Sequence, residues 1–399
     1  AGYEVPIVAV GKLGYPDLAE KAIRDGSCDM VMLARPLLSD PEWPNKAYAG
    51  KVEEIRPCIG CQEGCINEFV EGGHPQCAVN PRTGFEDVLP QVLPGVEKVK
   101  NIGVVGGGPA GIIFALTAAE RGHKVELIEK NNRLGGRIIA GSVPKIKYDF
   151  ENYLEYLENL VKDMEKSPNF KLSLNTEADL EMLKSKNYDA LVFAYGTRDI
   201  TPRIPGIEKI KTVQATDLLE NPELMEDAEK IIVVGGGVVG CETAYWLKYE
   251  HHRDVKVVEM LPNFMEGVCT ANRGHLIYYL KEENVDLINC AKVISFDTNK
   301  VIINRNISKH VPNPYNTWQP LLPKNIPNPL AKEIGNETKN EELYADLVVL
   351  AMGGVADETM FFNAQKLNIA PEIYNIGDSA RAGRVLEASR SAYNLALRI

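Results

Sequence analysis

The sequence contains no run of 18 apolar residues, so no stretch of it is long enough to cross a bilayer as a helix. Its first residues, Ala1-Gly2-Tyr3-Glu4-Val5-Pro6, include no Met, no basic segment and no apolar core, and do not have the form of a signal peptide. A strand-like run starts almost at once, at Val5, so the start is expected to lie inside a larger domain. Positive charge is in deficit. The 44 Lys and Arg against 55 Asp and Glu leave a formal net charge of −11, which argues against nucleic acid or an anionic membrane as the main partner. A disulfide framework is not expected in so long a chain without a secretory signal. Four of its eight cysteines are crowded within 20 residues, which points to metal binding and to a reducing compartment, the cytoplasm.

The 399 residues, 45% hydrophobic and 25% charged, predict two to three domains with sizeable cores. Residues 1–50 alternate short apolar runs with helical spacing, a βαβα rhythm of two strands. Residues 51–98 have little periodicity. Further on, two strand–turn–helix–strand units, at 99–135 and 229–260, resemble each other and lie about 130 residues apart, which suggests two related nucleotide domains. The segment 310–330 holds six prolines and reads as an irregular loop.

In the first unit the strand Asn101 to Val105 runs into Gly106-Gly107-Gly108-Pro109-Ala110-Gly111. Gly106, Gly108 and Gly111 match G-x-G-x-x-G, in which the glycines permit a tight turn, close approach of a pyrophosphate, and close helix packing. The next strand delivers Glu129, 21 residues after Gly108, where a carboxylate meets ribose hydroxyls. Features elsewhere favour FAD here. Arg133, Gly136 and Arg137 follow the acid, and Gly377-Asp378 ends a late strand before a terminal helix whose positive end would face a flavin. The second unit repeats the pattern with Gly235, Gly237 and Gly240, and its acid is Glu259, 22 residues after Gly237. A carboxylate there repels a 2′-phosphate, so NADH is expected over NADPH. Strands ending at Gly196 and Gly353 flank this unit and read as chain crossings between two domains. Cys241 and Cys269 are too far apart in sequence to suggest a redox pair, and no C-x-x-C lies near the flavin segment, which argues against a disulfide reductase.

Cys58, Cys61, Cys65 and Cys77 are spaced C-x2-C-x3-C-x11-C. Three close thiolates and a fourth farther on suit a 4Fe–4S cluster. A four-thiolate zinc site is the rival reading, though zinc ribbons usually carry two C-x2-C pairs and only one is present.

In this order the motifs resemble the 2-enoate reductase and 2,4-dienoyl-CoA reductase family, iron–sulfur flavoproteins related to old yellow enzyme. Cys58-Ile59-Gly60-Cys61 with Cys77-Ala78-Val79-Asn80-Pro81 is the most specific part of the resemblance, which covers essentially the whole chain. It implies an α/β fold: two Rossmann-like domains, one inserted in the other, after a cluster segment and the last two βα units of an FMN-binding TIM barrel. The expected division is 1–50 for the barrel end, 51–98 for the cluster, 99–215 with 346–399 for the FAD domain, and 216–345 for the nicotinamide domain. Gly11, Ala34 and Arg35 become candidates for the FMN phosphate. The resemblance further implies electron flow from NADH through FAD and the cluster to FMN, which reduces an activated C=C bond of a small enoate or enoyl-CoA. An amine dehydrogenase or a steroid or bile-acid oxidoreductase on the same chassis, or a stand-alone electron-transfer module, are the alternatives. Most of the barrel is absent from the sequence, so no catalytic acid can be named, and the oligomeric state, a homo-oligomer included, stays open.

Overall fold

Two apolar runs, Asn101–Val105 and Lys230–Val234, each become the central strand of a five-stranded, all-parallel sheet. Each is buried at every position after its first, as expected of strands covered on both faces. The computed structural model describes residues 5–318, 322, 326 and 328–399.

The first sheet runs Glu372–Asn375, Ala190–Phe193, Asn101–Val105, Lys124–Ile128, Phe170–Ser173. Helices Pro109–Glu120 and Val385–Arg398 pack together on one face, and Tyr148–Met164 adds to the same core through Tyr153, Leu154, Leu157 and Val161. The second sheet runs Asp286–Ile288, Asp254–Val258, Lys230–Val234, Leu347–Leu350, Thr212–Gln214. A three-stranded antiparallel sheet, Ala291–Asp297, Lys300–Asn306 and Thr338–Tyr344, is attached to it.

The pairing corrects the expected domain boundaries. Thr212–Gln214 and Leu347–Leu350 were both expected in the FAD domain, yet they pair in the second sheet, with Leu347–Leu350 directly beside the Lys230–Val234 strand. The true crossings are Thr197–Asp199 and Gly354–Ala356, which pair antiparallel as a two-stranded link between the sheets. Gly196 and Gly353 precede these strands, both with positive φ, +83° and +81°. The crossing was legible at these glycines. The boundary was misplaced because a short parallel strand carries no mark of which sheet it joins.

At the other end Val8–Val10 and Met30–Met32 pair in parallel, joined by helix Pro16–Arg24. Val8, Val10, Met30 and Met32 are exposed, although parallel strands are ordinarily covered on both faces. The segment docks on the first nucleotide domain through the buried carboxylate of Asp149, which accepts from Tyr15 (2.9 Å) and pairs with Lys12. The cysteine segment is held between the two. Asn80 and Thr83 donate to the Leu38 carbonyl, and Ser389 of the last helix donates to that of Ala78. The proline-rich loop starts on the second domain, where the Tyr315 hydroxyl donates to the Val285 carbonyl and Asn289 to that of Pro312. Residues 319–321, 323–325 and 327 of that loop lie outside the described residues.

Candidate functional site

The two glycine turns are built alike, down to the atoms they approach. Gly106 and Gly235 both have φ +112°, and a Cβ on either would strike the carbonyl oxygen of the strand alongside, that of Ala194 or of Ala351. A Cβ on Gly111 or Gly240 would land on the carbonyl oxygen of Gly106 or Gly235. Each turn therefore sits where its central strand and a neighbour diverge, the switch point at which open parallel sheets hold nucleotides. Gly108 and Gly237 cap helices of 12 residues, Pro109–Glu120 and Val238–Tyr249, whose free N–H groups open onto a cleft.

The two acids are equivalent as well. Glu129 accepts the N–H groups of Gly107 (2.7 Å) and Asn131 (2.8 Å). Glu259 accepts those of Gly236 (2.6 Å) and Leu261 (2.7 Å). Both are buried at 8% exposure and both line the cleft. Each carboxylate oxygen thus holds one backbone donor and keeps lone-pair capacity for ribose hydroxyls.

Both sites open onto one cleft of about 2150 Å³. It joins Gly106, Gly108, Pro109, Ala110, Gly136, Arg137, Gly196 and Asp378 of the first site to Gly235, Gly237, Glu259 and Gly353 of the second. Asp378 accepts the Gly383 N–H (3.0 Å), and burial pushes its carboxyl above the ordinary range. Arg137 pairs with Asp199 (2.8 Å) and donates to the Thr197 carbonyl, so it braces the crossing as well as facing the cleft. Other expected residues stand elsewhere. Arg133 turns away to Glu158 (3.5 Å) and is not on the cleft wall. Gly111, Gly240 and Gly377 serve packing, Gly377 lying against Ala110. Gly11 and Ala34 do not reach the cleft, whereas Arg35 and the neighbouring Lys12 do. Arg35 opens a helix of only five residues, Arg35–Ser39.

Cys58, Cys61, Cys65 and Cys77 line one small cavity together with Arg35. It forms because two segments cross tightly. The Gln76 N–H donates to the Gly64 carbonyl (2.6 Å), and a Cβ on Gly64 would meet the Gln76 backbone at 2.9 Å. Between Cys61 and Cys65 the chain turns through Gln62 in left-handed conformation (φ +59°) and enters a π-turn over Glu63–Asn67. Burial raises the thiols of Cys61, Cys65 and Cys77, that of Cys61 to about 12. Backbone N–H groups of Glu63, Ile66 and Val79 face these sulfurs and oppose that shift. Four sulfurs with backbone donors are the ligand set of a four-thiolate iron–sulfur or zinc centre, in which metal would replace the thiol protons. The side chains are not drawn together to ligand distance: among the described residues, no three His, Cys, Asp or Glu groups converge closely enough to hold a metal ion.

Several residues that shape this region had no signal in the sequence. Asn272 reaches from the second domain to the Cys61–Gln62 turn, and Arg384 pairs with Glu63 (2.5 Å) while donating to the Gly267 carbonyl (3.0 Å). These contacts span more than one hundred residues of sequence. The remaining cysteines include Cys241, fully buried in the second core, where burial raises its thiol far above the ordinary value.

Paired switch-point turns with buried acids at the following strand ends define a two-dinucleotide oxidoreductase fold. Residues 100–392 match the family model described as pyridine nucleotide-disulphide oxidoreductase, and the chain belongs to that family. It is 33% identical over 400 residues to a cinnamate reductase of Clostridium sporogenes, covering 99% of this chain and 53% of that protein. It is 32% identical to an NADH oxidase of Thermoanaerobacter brockii, covering 99% of this chain and 56% of that one. Among solved structures, a 2-naphthoyl-CoA reductase in complex with 2-naphthoyl-CoA matches with a TM-score of 0.86 at 28% identity, over 100% of this chain and 55% of that chain. The chain thus spans about half the length of the curated relatives it matches. Among the described residues no helix is long and apolar enough to cross a membrane.

Proposed function

We propose that this chain is the electron-input portion of an NADH-dependent reductase of activated C=C bonds, with electrons passing from NADH by way of FAD and a 4Fe–4S cluster to FMN. The observation that carries the reading is the shared cleft, whose walls include both glycine turns, both acids, and Gly60, Cys61 and Gln62 of the cysteine loop. Bound cofactors would supply the hydride and single-electron chemistry, which side chains do not.

The chain's own residues bind and orient. Gly106, Gly108 and the helix from Pro109 would hold the FAD pyrophosphate, with Glu129 on the ribose and Asp378 near the ribityl chain. Gly235, Gly237 and Glu259 would hold NADH, and the Glu259 carboxylate disfavours the 2′-phosphate of NADPH. Cys58, Cys61, Cys65 and Cys77 would ligate the cluster. Arg35, on the cleft, would meet an FMN phosphate together with the backbone at Gly11 and Ala34, Lys12 being paired with Asp149. The exposed strand face of Val8, Val10, Met30 and Met32 suits cover by further strands of a barrel. A small enoate or enoyl-CoA is the proposed substrate, and a reducing cytoplasm the proposed location, where thiolate ligands persist.

The test is anaerobic purification followed by assay of iron, sulfide, zinc and released flavin, with an NADH titration of the visible spectrum. Roughly four irons per chain, one FAD and bleaching by NADH are expected. Zinc without iron, or a flavin that NADH leaves oxidised, would overturn the reading.

A further inference from the structure

The Cys61–Cys65 turn is fastened by a residue of the other nucleotide domain. Gln62 Nε2 donates to Asn272 Oδ1 (2.8 Å), and Asn272 Nδ2 donates to the Cys61 carbonyl (2.8 Å), with a longer contact to that of Gly60 (3.5 Å). Two carboxamides thus satisfy each other and the backbone of a cysteine expected to bind metal. Gln62 is in the left-handed region, a conformation that a side-chain-bearing residue holds only when its surroundings enforce it.

Asn272 is well placed to enforce it. It sits in the first turn of helix Thr270–Glu282, whose Leu276, Ile277 and Leu280 are buried in the second core. Its neighbour Arg273 is 2% exposed and donates to the Phe264 carbonyl (2.9 Å). The anchor is therefore rigid, and the turn follows it.

We propose that Asn272 is a positioning residue for the iron–sulfur cluster, acting from the nicotinamide domain on the geometry of the Cys61–Cys65 turn. The inference rests on reading the four cysteines as a cluster site. The physical link is the peptide unit. With the Cys61 carbonyl held toward Asn272, the Gln62 N–H of the same planar peptide is held pointing the opposite way, a fixed donor within the Cys61–Cys65 turn. Hydrogen bonds to cluster sulfurs raise the reduction potential, because they favour the more negative, reduced state. Releasing the turn loosens that donor and lowers the potential. A residue of the NADH-binding domain would then tune a cluster ligated entirely by another segment.

The test uses the full chain, anaerobically purified, as wild type, Asn272→Ala and Gln62→Gly. Glycine lacks the side chain that braces Asn272 and leaves the backbone free to depart from the left-handed region, so the second variant loosens the turn from its other side. Asn340→Ala, which removes an exposed carboxamide pair on the antiparallel sheet, is the control. Iron and sulfide content, the cluster midpoint potential by electron paramagnetic resonance titration, and hydrogen exchange of amides 61–65 are measured. Both test variants are expected to keep their iron and to shift the reduction equilibrium about tenfold toward the oxidised cluster, 59 mV for one electron. Exchange at 61–65 should quicken by about tenfold, and the control should match wild type. Should Asn272→Ala not fold, Gln62→Gly decides the question. Full iron with an unchanged potential in the folded test variants overturns the inference while leaving the cluster standing. Wild type without iron and sulfide overturns the cluster reading, and the inference with it.

Discussion

Gly240→Ala is expected to abolish tight NADH binding while leaving the flavin site intact. The new Cβ would fall on the carbonyl oxygen of Gly235 and 3.1 Å from the Ala351 Cβ. Carbon and carbonyl oxygen normally meet at roughly 3.3–3.6 Å, so helix Val238–Tyr249 must retreat by more than about 1 Å. Little can yield. The turn is fixed by Gly235 at φ +112°, and the helix is packed through Cys241, Ala244, Trp246 and Leu247. Overpacking of this kind costs about 1–3 kcal/mol, and it displaces the helix N-terminus from the nucleotide phosphates. A loss of about 3 kcal/mol in binding corresponds to roughly a hundredfold in affinity. The assay is anaerobic stopped-flow reduction of the bound flavin over a range of NADH concentrations, with dithionite reduction as reference. Flavin content and dithionite reduction should be unchanged, and half-saturation by NADH should rise about a hundredfold. Gly111→Ala should do the reverse and yield protein that loses flavin on gel filtration. An NADH half-saturation within twofold of wild type in Gly240→Ala would refute the assignment of this turn to the nicotinamide nucleotide.

Other substitutions test separate parts of the site. Glu259→Gln removes the charge that repels a 2′-phosphate, so the ratio of NADPH to NADH efficiency should rise about tenfold in steady-state diaphorase assays. Cys77→Ser should drop iron and sulfide well below wild type while FAD content holds, since the cysteine cavity and the first glycine turn are built from different segments. Glu126 tests the fold's response to acid. Burial alone would raise its carboxyl, but hydrogen bonds from Lys171, Tyr188, Ser173 and Lys186 pull it down to about 2. A depressed carboxyl stabilises the fold above its unfolded value and loses that contribution as pH falls through the folded one. The loss should therefore fall between pH of about 4.5 and about 2, and amount to about 2 kcal/mol after screening. Glu126→Gln should remove this part of the pH dependence in urea melts.

The sequence by itself determined the two glycine turns, their acids and the four-cysteine segment, because each depends on local physics. A tight turn at positive φ demands glycine at Gly106 and Gly235, and a strand buried on both faces demands the apolar runs before them. Glu129 and Glu259 were legible by distance along the chain, because one crossover helix of fixed length separates each acid from its turn. Only the tertiary structure decided which sheet Thr212–Gln214 and Leu347–Leu350 join, because parallel pairing is set by long-range register and not by composition. It also turned Arg133 to Glu158, although its neighbour Arg137 stayed on the cleft, for a charged side chain goes to whichever partner lies within reach. The placement of Asn272 against Cys61 was equally hidden: an asparagine in a helix has many uses, and this one exists only because residues some 210 apart in sequence are brought together by folding.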